Sequence, residues 1–306
     1  MRALLTGASG YLGQHVLSRL RARGCEIVVL GRRRPEGTQD LAWVEADLLD
    51  GGDLTAALRQ AGASHLLHLA WYADYGKFWT SALNLRWVDA SLRLLQAFTE
   101  AGGKHVLMTG SCAEYDWSGE GPFHEDRTPL NPATLYGAAK DATRRLAQAW
   151  CRDQGATLAW AHVFFPFGPG EARQRMLPSL IEVFRGHAAP FGVNAEARRG
   201  MLPVRDAAEA LVHLLAQGGD GRYNICSGQA VQVGEVVRTL ARLCDADPAP
   251  VLALATARPG DPALLAGDNS RLLATGWRPT LSLEQGLQAM VRAALTNPAV
   301  PEGVQR

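Results

Sequence analysis

An apolar run, Ala3-Leu4-Leu5, feeds straight into Thr6-Gly7-Ala8-Ser9-Gly10-Tyr11-Leu12-Gly13, and Val16, Leu17 and Leu20 follow at helical spacing. No other segment restricts the fold as much. A strand that enters a helix through glycines at 7, 10 and 13 can turn tightly, and its backbone amides can approach a pyrophosphate. The helix amino terminus then favours the phosphate charge. Glycine-rich loops are common, but one at the first strand-to-helix turn of a βαβ unit points to a dinucleotide. Gly7, Gly10, Tyr11, Leu12 and Gly13 are the candidate contacts.

From Ala3 to about Val163, further short apolar runs alternate with longer segments of helical period. The runs are Ile27 to Leu30, Leu41 to Val44, Leu66 to Leu69, Val106 to Met108 and Thr157 to Trp160; the helical segments include Leu12 to Arg21, Trp79 to Glu100 and Ala138 to Arg152. This alternation predicts an α/β fold, a Rossmann-type doubly wound parallel sheet, over residues 1–165. After Phe164 the Gly and Pro density rises, as in Phe165-Pro166-Phe167-Gly168-Pro169-Gly170. Residues 166–306 are therefore expected to form mainly a smaller substrate-binding α/β region, from which the chain can cross back to the sheet. Helices are expected at about Met176 to Arg185, Asp206 to Ala216, Gly234 to Leu243 and Ser282 to Leu295, short strands near Tyr223 and Val251, and a frayed tail from Pro298 to Arg306.

A dinucleotide site usually places an acid after its second strand to bind the adenosine ribose, yet Leu30 is followed by Gly31-Arg32-Arg33-Arg34. Guanidinium groups there, Arg32 and Arg33 foremost, can pair with a 2′-phosphate, so NADP(H) is expected, with NAD(H) as the alternative. The bland reading of the run is a solvated basic turn. Asp47, followed by Leu48, closes the third strand where it can meet an adenine amino group.

Tyr136 and Lys140 stand four apart at the start of a predicted helix, on one face. A free phenol has a pKa of about 10, and a nearby cation brings its proton transfer nearer neutral pH. Ser111 follows the apolar strand Val106 to Met108 and should emerge at the carboxyl edge of the sheet, where ligands bind.

Together these residues resemble the extended (atypical) short-chain dehydrogenase/reductase family, in its NAD(P)-dependent sugar-nucleotide epimerase, dehydratase and ketoreductase branch. The turn resembles T-G-x-x-G-x-x-G, His68-Leu69-Ala70 resembles H-x-A, Ser111 to Tyr115 resembles S-x-x-x-Y, and Tyr136 to Lys140 matches Y-x-x-x-K. The resemblance continues through Phe167-Gly168-Pro169-Gly170, Arg199 to Asp206, Tyr223 to Gly228 and Arg258-Pro259-Gly260-Asp261. It implies Ser111, Tyr136 and Lys140 as catalytic, Leu69 and Ala70 beside the cofactor, and Arg199 and Arg258 on a substrate diphosphate. Cys112 and Phe165 would border the sugar. Trp71, with Tyr72, Tyr75, Phe78 and Trp79, would form either an aromatic wall over sugar or nicotinamide, or core or dimer contacts. Gly200 takes the acid position of the arginine motif, and Phe165 and His162 replace the family's usual Asn and Arg.

Local residues bear on the reaction. Dehydratases of the family carry an acid two residues after the catalytic Ser or Thr, where this chain has Ala113; Glu114 comes one later, which in an extended strand is the opposite face. Epimerase-reductases use a Cys at the same offset, whereas Cys112 directly follows Ser111. NADPH-dependent reduction of a keto group, at C4 of a nucleotide-activated 6-deoxy sugar, is therefore expected. An NAD-dependent sugar-nucleotide 4-epimerase is the alternative, and a non-catalytic NADP-binding sensor a second one. Resemblance also implies a homodimer through the segments Trp79 to Glu100 and Ala138 to Arg152.

Composition narrows the partners. The 31 basic and 30 acidic residues leave a formal net charge of +1, which offers no bulk field to nucleic acid or an anionic membrane. Five scattered cysteines without a C-x-x-C pair argue against a disulfide framework or zinc site, and His65 and His68 face opposite sides of a strand. No metal is expected, and Arg144-Arg145 reads as a solvated helix face. The amino terminus lacks the apolar run of a signal peptide, and no long apolar stretch suggests a membrane span, so a cytoplasmic enzyme is expected.

Overall fold

Successive side chains of a strand face opposite sides, and in β1 (Arg2–Thr6) both sides are apolar: Ala3 and Leu5 join one core, Leu4 another. A strand buried on both faces belongs inside a helix-covered parallel sheet. That sheet is present in the computed structural model, which describes residues 1–119, 121–257 and 260–296. Its next members are β2 (Glu26–Gly31), β3 (Ala42–Glu45), β4 (His65–His68), β5 (His105–Ser111) and β6 (Thr157–Val163). Three two-residue strands, β7 (Pro166–Phe167), β8 (Arg198–Arg199) and β9 (Leu202–Pro203), precede β10 (Gly221–Ile225), which returns to the large sheet beside β6. The order is β10-β6-β5-β4-β1-β2-β3, all parallel. It reverses between β1 and β4, and the crevice at the carboxyl ends there is the ligand-binding position of doubly wound folds.

Helix α1 (Tyr11–Ala22) covers one face of the sheet; α2 (Thr55–Ala61), α3 (Leu83–Glu100) and α4 (Leu135–Asp153) cover the other. α3 begins at Leu83 rather than Trp79, because Phe78 and Trp79 are held against the Tyr136 ring. A third core gathers α5 (Met176–Phe184), while α6 (Val204–Ala216) packs beside α1 on the main sheet. The third core is completed by α7 (Val233–Leu243), by α8 (Ala249–Leu252) and by a helix that ends the described chain. A three-stranded sheet joins β8 to β11 (Val231–Gln232) and β12 (Leu264–Leu265), and α9 (Ser270–Ala274) and α10 (Leu283–Thr296) follow.

The region around Val251 is helical, not a strand. Pro248 and Pro250 open that turn with helical φ, and Val251 is buried in the third core. The tail expected from Pro298 to Arg306 lies outside the described residues.

Candidate active site

The glycine turn is shaped by close backbone approach. Gly7 has φ of 74°, and a Cβ there would lie 2.8 Å from the Ala70 amide nitrogen; at Gly13 a Cβ would lie 1.9 Å from the Gly7 carbonyl oxygen. The Gly10 N–H donates to that same oxygen at 3.0 Å. α1 starts at Tyr11 with no side-chain cap and no acid in its first turn, so its amides face outward for an anion. Thr6 ties the end of β4 to the turn: its Oγ1 accepts the Ala70 N–H at 3.3 Å, and its carbonyl accepts the Leu69 N–H at 3.4 Å. Leu69 and Ala70 thus sit beside the turn with Tyr11 and Leu12. This cradle fits a dinucleotide pyrophosphate.

At the end of β2, Arg32 and Arg33 are exposed, and Arg32 reaches Asp47 only loosely, at 3.8 Å. Arg34 is committed elsewhere, to the carbonyls of Thr38, Gln39 and Leu41. Asp47 accepts the Leu49 N–H at 2.9 Å, and with Leu48 it borders a hollow of about 370 Å³.

Ser111 ends β5, and its Oγ accepts the Ala113 N–H at 3.2 Å. Thr134 caps α4 through the Gly137 N–H at 3.1 Å, which puts Tyr136 in the first turn and Lys140 one turn on. The Lys140 ammonium donates to the Thr109 carbonyl at 2.8 Å. Burial raises the Tyr136 pKa above its usual value, opposed by the neighbouring Ser111 hydroxyl. Burial also lowers Lys140 to about 7, opposed by the charge of Glu114. Both groups are thus desolvated, and burial favours the neutral form of each.

Two charged residues lie where the sequence did not put them. Glu114 is not on an extended strand: Cys112–Glu114 form a single 3₁₀ turn that folds the carboxylate back into the core. There it is fully buried and accepts the Ser111 N–H at 2.7 Å and the Trp160 Nε1–H at 3.0 Å. Arg144 is likewise no solvated residue; it is buried, lies 4.0 Å from Glu114 and donates to Asp141 at 2.7 Å. Its neighbour Arg145 is exposed. An anion buried on one side of α4 needs a buried cation, and helix rotation between adjacent residues selects Arg144.

A cavity of about 1250 Å³ is lined by Tyr75, Trp79, Phe165, Arg175, Arg199 and Asp261 among others. Arg199 is not left without an acid: Asp261, 62 residues on, pairs with it at 2.5 Å, and the Pro262 carbonyl accepts a second bond at 2.9 Å. Phe165 adopts φ of 35°, a left-handed conformation that costs a bulky side chain free energy. Cys112 is buried and its thiol pushed up to about 12 by desolvation, beside Ser111. Trp71 does not line the cavity; Lys140 lies on its ring and Trp87 stacks against it. Arg258 lies outside the described residues. Arg175 and Glu171 escaped the sequence reading, since neither falls in a motif; Asp261 stood inside one, and that was its signal. Among the described residues no group of three or more His, Cys, Asp or Glu converges to hold a metal ion, and no helix is long and apolar enough to cross a membrane.

A family model described as "NAD dependent epimerase/dehydratase family" matches residues 3–226. The chain is 27% identical to a dTDP-L-rhamnose 4-epimerase of Burkholderia thailandensis, covering 94% of this chain and 93% of the relative. It is equally identical, at 27%, to a GDP-6-deoxy-D-mannose reductase of Pseudomonas aeruginosa, covering 95% and 96%. Among solved structures, MoeE5 in complex with UDP-glucuronic acid and NAD superposes with a TM-score of 0.83 at 27% identity, covering 97% of this chain and 99% of that one.

Proposed function

We propose that this chain, which belongs to the NAD dependent epimerase/dehydratase family, reduces the C4 keto group of a nucleotide-activated 6-deoxy sugar with NADPH. The observation that carries this reading is the orientation of Glu114. With that carboxylate turned into the core and the Cys112 thiol held neutral, Ser111, Tyr136 and Lys140 are the groups around the end of β5 left for proton chemistry. Reduction asks nothing more of them.

Gly7, Gly10, Tyr11, Leu12 and Gly13 would hold the dinucleotide, with Leu69, Ala70, Asp47 and Leu48 along its length and Arg32 and Arg33 at the 2′-phosphate. The bound nicotinamide supplies the hydride. Ser111 hydrogen-bonds the substrate carbonyl oxygen, and Tyr136, kept protonated by burial, gives its proton to that oxygen as the alkoxide forms. Lys140 orients the nicotinamide ribose. Arg199, fixed by Asp261, grips the substrate diphosphate, with Cys112 and Phe165 bordering the sugar. In this scheme residues 1–165 serve mainly the cofactor and 166–306 mainly the substrate. Leu85 on α3 and Leu146 on α4 are exposed, which supports a homodimer through those helices.

The GDP-6-deoxy-D-mannose reductase relative supports reduction; the dTDP-L-rhamnose 4-epimerase relative supports a second reading, an NAD-dependent 4-epimerase. Incubation with NADPH and a panel of 4-keto-6-deoxy sugar nucleotides, with NMR of the products, separates the two. Stoichiometric NADPH oxidation with a new 4-hydroxyl is the expected result. Interconversion of two 4-hydroxyl epimers on tightly bound NAD, without NADPH oxidation, would overturn it.

A further inference from the structure

The segment between β4 and α3 carries five aromatic residues, and three of them surround the proposed acid/base pair. Phe78 and Trp79 meet the Tyr136 ring edge to face, at centroid distances of 4.8 and 5.8 Å, and the Trp79 carbonyl accepts the Tyr136 N–H at 3.1 Å. Trp71 meets the same ring edge to face at 6.5 Å and also touches the second member of the pair: the Lys140 ammonium stands over its indole, 3.8 Å from the ring centroid. That ring is fixed. Its Nε1–H donates to Asn84 Oδ1 at 2.9 Å, and the fully buried Asn84 spends its own amide protons on the carbonyls of Phe78 and Ser81. Trp87 stacks on the indole.

We propose that Trp71 is a positioning residue for Lys140, holding the ammonium on its indole face where Asn84 has fixed the ring. This role rests on Lys140 being part of the reaction described above.

The physical reason is desolvation. Lys140 is buried, and one hydrogen bond, to the Thr109 carbonyl, satisfies only one of three ammonium protons. The charged groups around it give limited help. Glu114, on the 3₁₀ turn, attracts the ammonium but is shared with Ser111, Trp160 and Arg144. His68, on β4, is held between Thr6 and Ser91, and burial keeps it neutral well below its usual range. On α4 itself, Asp141 is paired with Arg144 and Arg145, and Tyr136 is uncharged. The face of an indole carries negative potential and attracts a cation most strongly where water is excluded. It therefore favours charged Lys140 against a burial that has already brought its pKa to about 7. Removing the ring should release the proton at lower pH.

The chain has only three lysines, Lys77, Lys104 and Lys140, the first two exposed. ¹³Cε-lysine labelling therefore gives three NMR signals, assigned with Lys77→Arg and Lys104→Arg, and Lys140 can be titrated without substrate. Trp71→Leu should lower its midpoint by about one pH unit, a tenfold change in ionisation constant, and Trp71→Phe by less. Lys77 and Lys104 should not move. Fluorinated tryptophan, which drains charge from the ring without removing it, should lower the Lys140 midpoint in steps with fluorine count and covers the case in which Trp71→Leu fails to fold. An unchanged Lys140 midpoint in folded Trp71→Leu, or across the fluorinated series, overturns the proposal. Because no substrate is needed, that failure is distinct from an error in the reductase reading. If both hold, the alkaline limb of the kcat profile should move down in pH with the NMR midpoint, which a packing role alone would not produce.

Discussion

The pyrophosphate turn and the cavity are built by different means. Between Gly7 and Gly13 the geometry is made mainly by close backbone approach, within one strand-to-helix turn and against the end of β4, and added side chains would collide with it. Across the cavity, Arg199, Asp261, Phe165 and Arg175 come from separate elements, and each depends on a long-range contact or a strained backbone for its place. A site made of local backbone tolerates distant change; one made of converging side chains does not. Cofactor binding should therefore be robust where substrate handling is fragile.

Tyr136→Phe should show the largest separation. It should lower kcat by about 10²–10⁴-fold, the worth of a general acid, while NADPH affinity measured by fluorescence titration stays as in the wild type. Loss of both together would break the comparison, by making the phenol part of the cofactor cradle. Next, Arg32→Ala with Arg33→Ala should weaken NADPH roughly 10- to 100-fold and leave NADH unchanged, since only the 2′-phosphate loses charged partners. Equal losses for both cofactors would remove the basis for NADP preference.

Asp261→Ala sharpens the other side of the comparison. Without it Arg199 keeps only carbonyl partners, and the KM for sugar nucleotide should rise about tenfold with the cofactor Kd unchanged. The smallest effect expected is on stability. Glu171 is half-buried at the cavity, with one carboxylate oxygen buried and unpartnered, and desolvation raises its carboxyl from 4.5 to about 7. The folded state thus favours the neutral form: Glu171 is tolerated below its unfolded value and becomes destabilising as pH rises through about 7. Glu171→Gln should match the wild type near pH 5 and exceed it at pH 8 by roughly 1–3 kcal/mol, read as a higher Tm. A constant difference across that range would show that the carboxyl titrates alike in the folded and unfolded chain.

What could be read from residues alone follows the same division. The glycine spacing, the apolar runs and the Tyr136–Lys140 interval each have a fixed geometric meaning on a strand, turn or helix, so the doubly wound sheet and the place of the cofactor turn were legible. Periodicity failed where the backbone left regular structure. The 3₁₀ turn at Cys112–Glu114 sent Glu114 inward for a reason that strand alternation does not contain, and two prolines with a buried Val251 made a helix where a strand was expected.

Burial and charge pairing are sums over the whole packed chain, and a single residue type carries neither. Arg144 became a core cation between Asp141 and Glu114, Arg199 found its acid 62 positions away, and Lys140 came to rest on an indole from another crossover. Short-range spacing determined which elements form and where they turn; only tertiary packing decided which charges lose water, and desolvation sets what those charges can do.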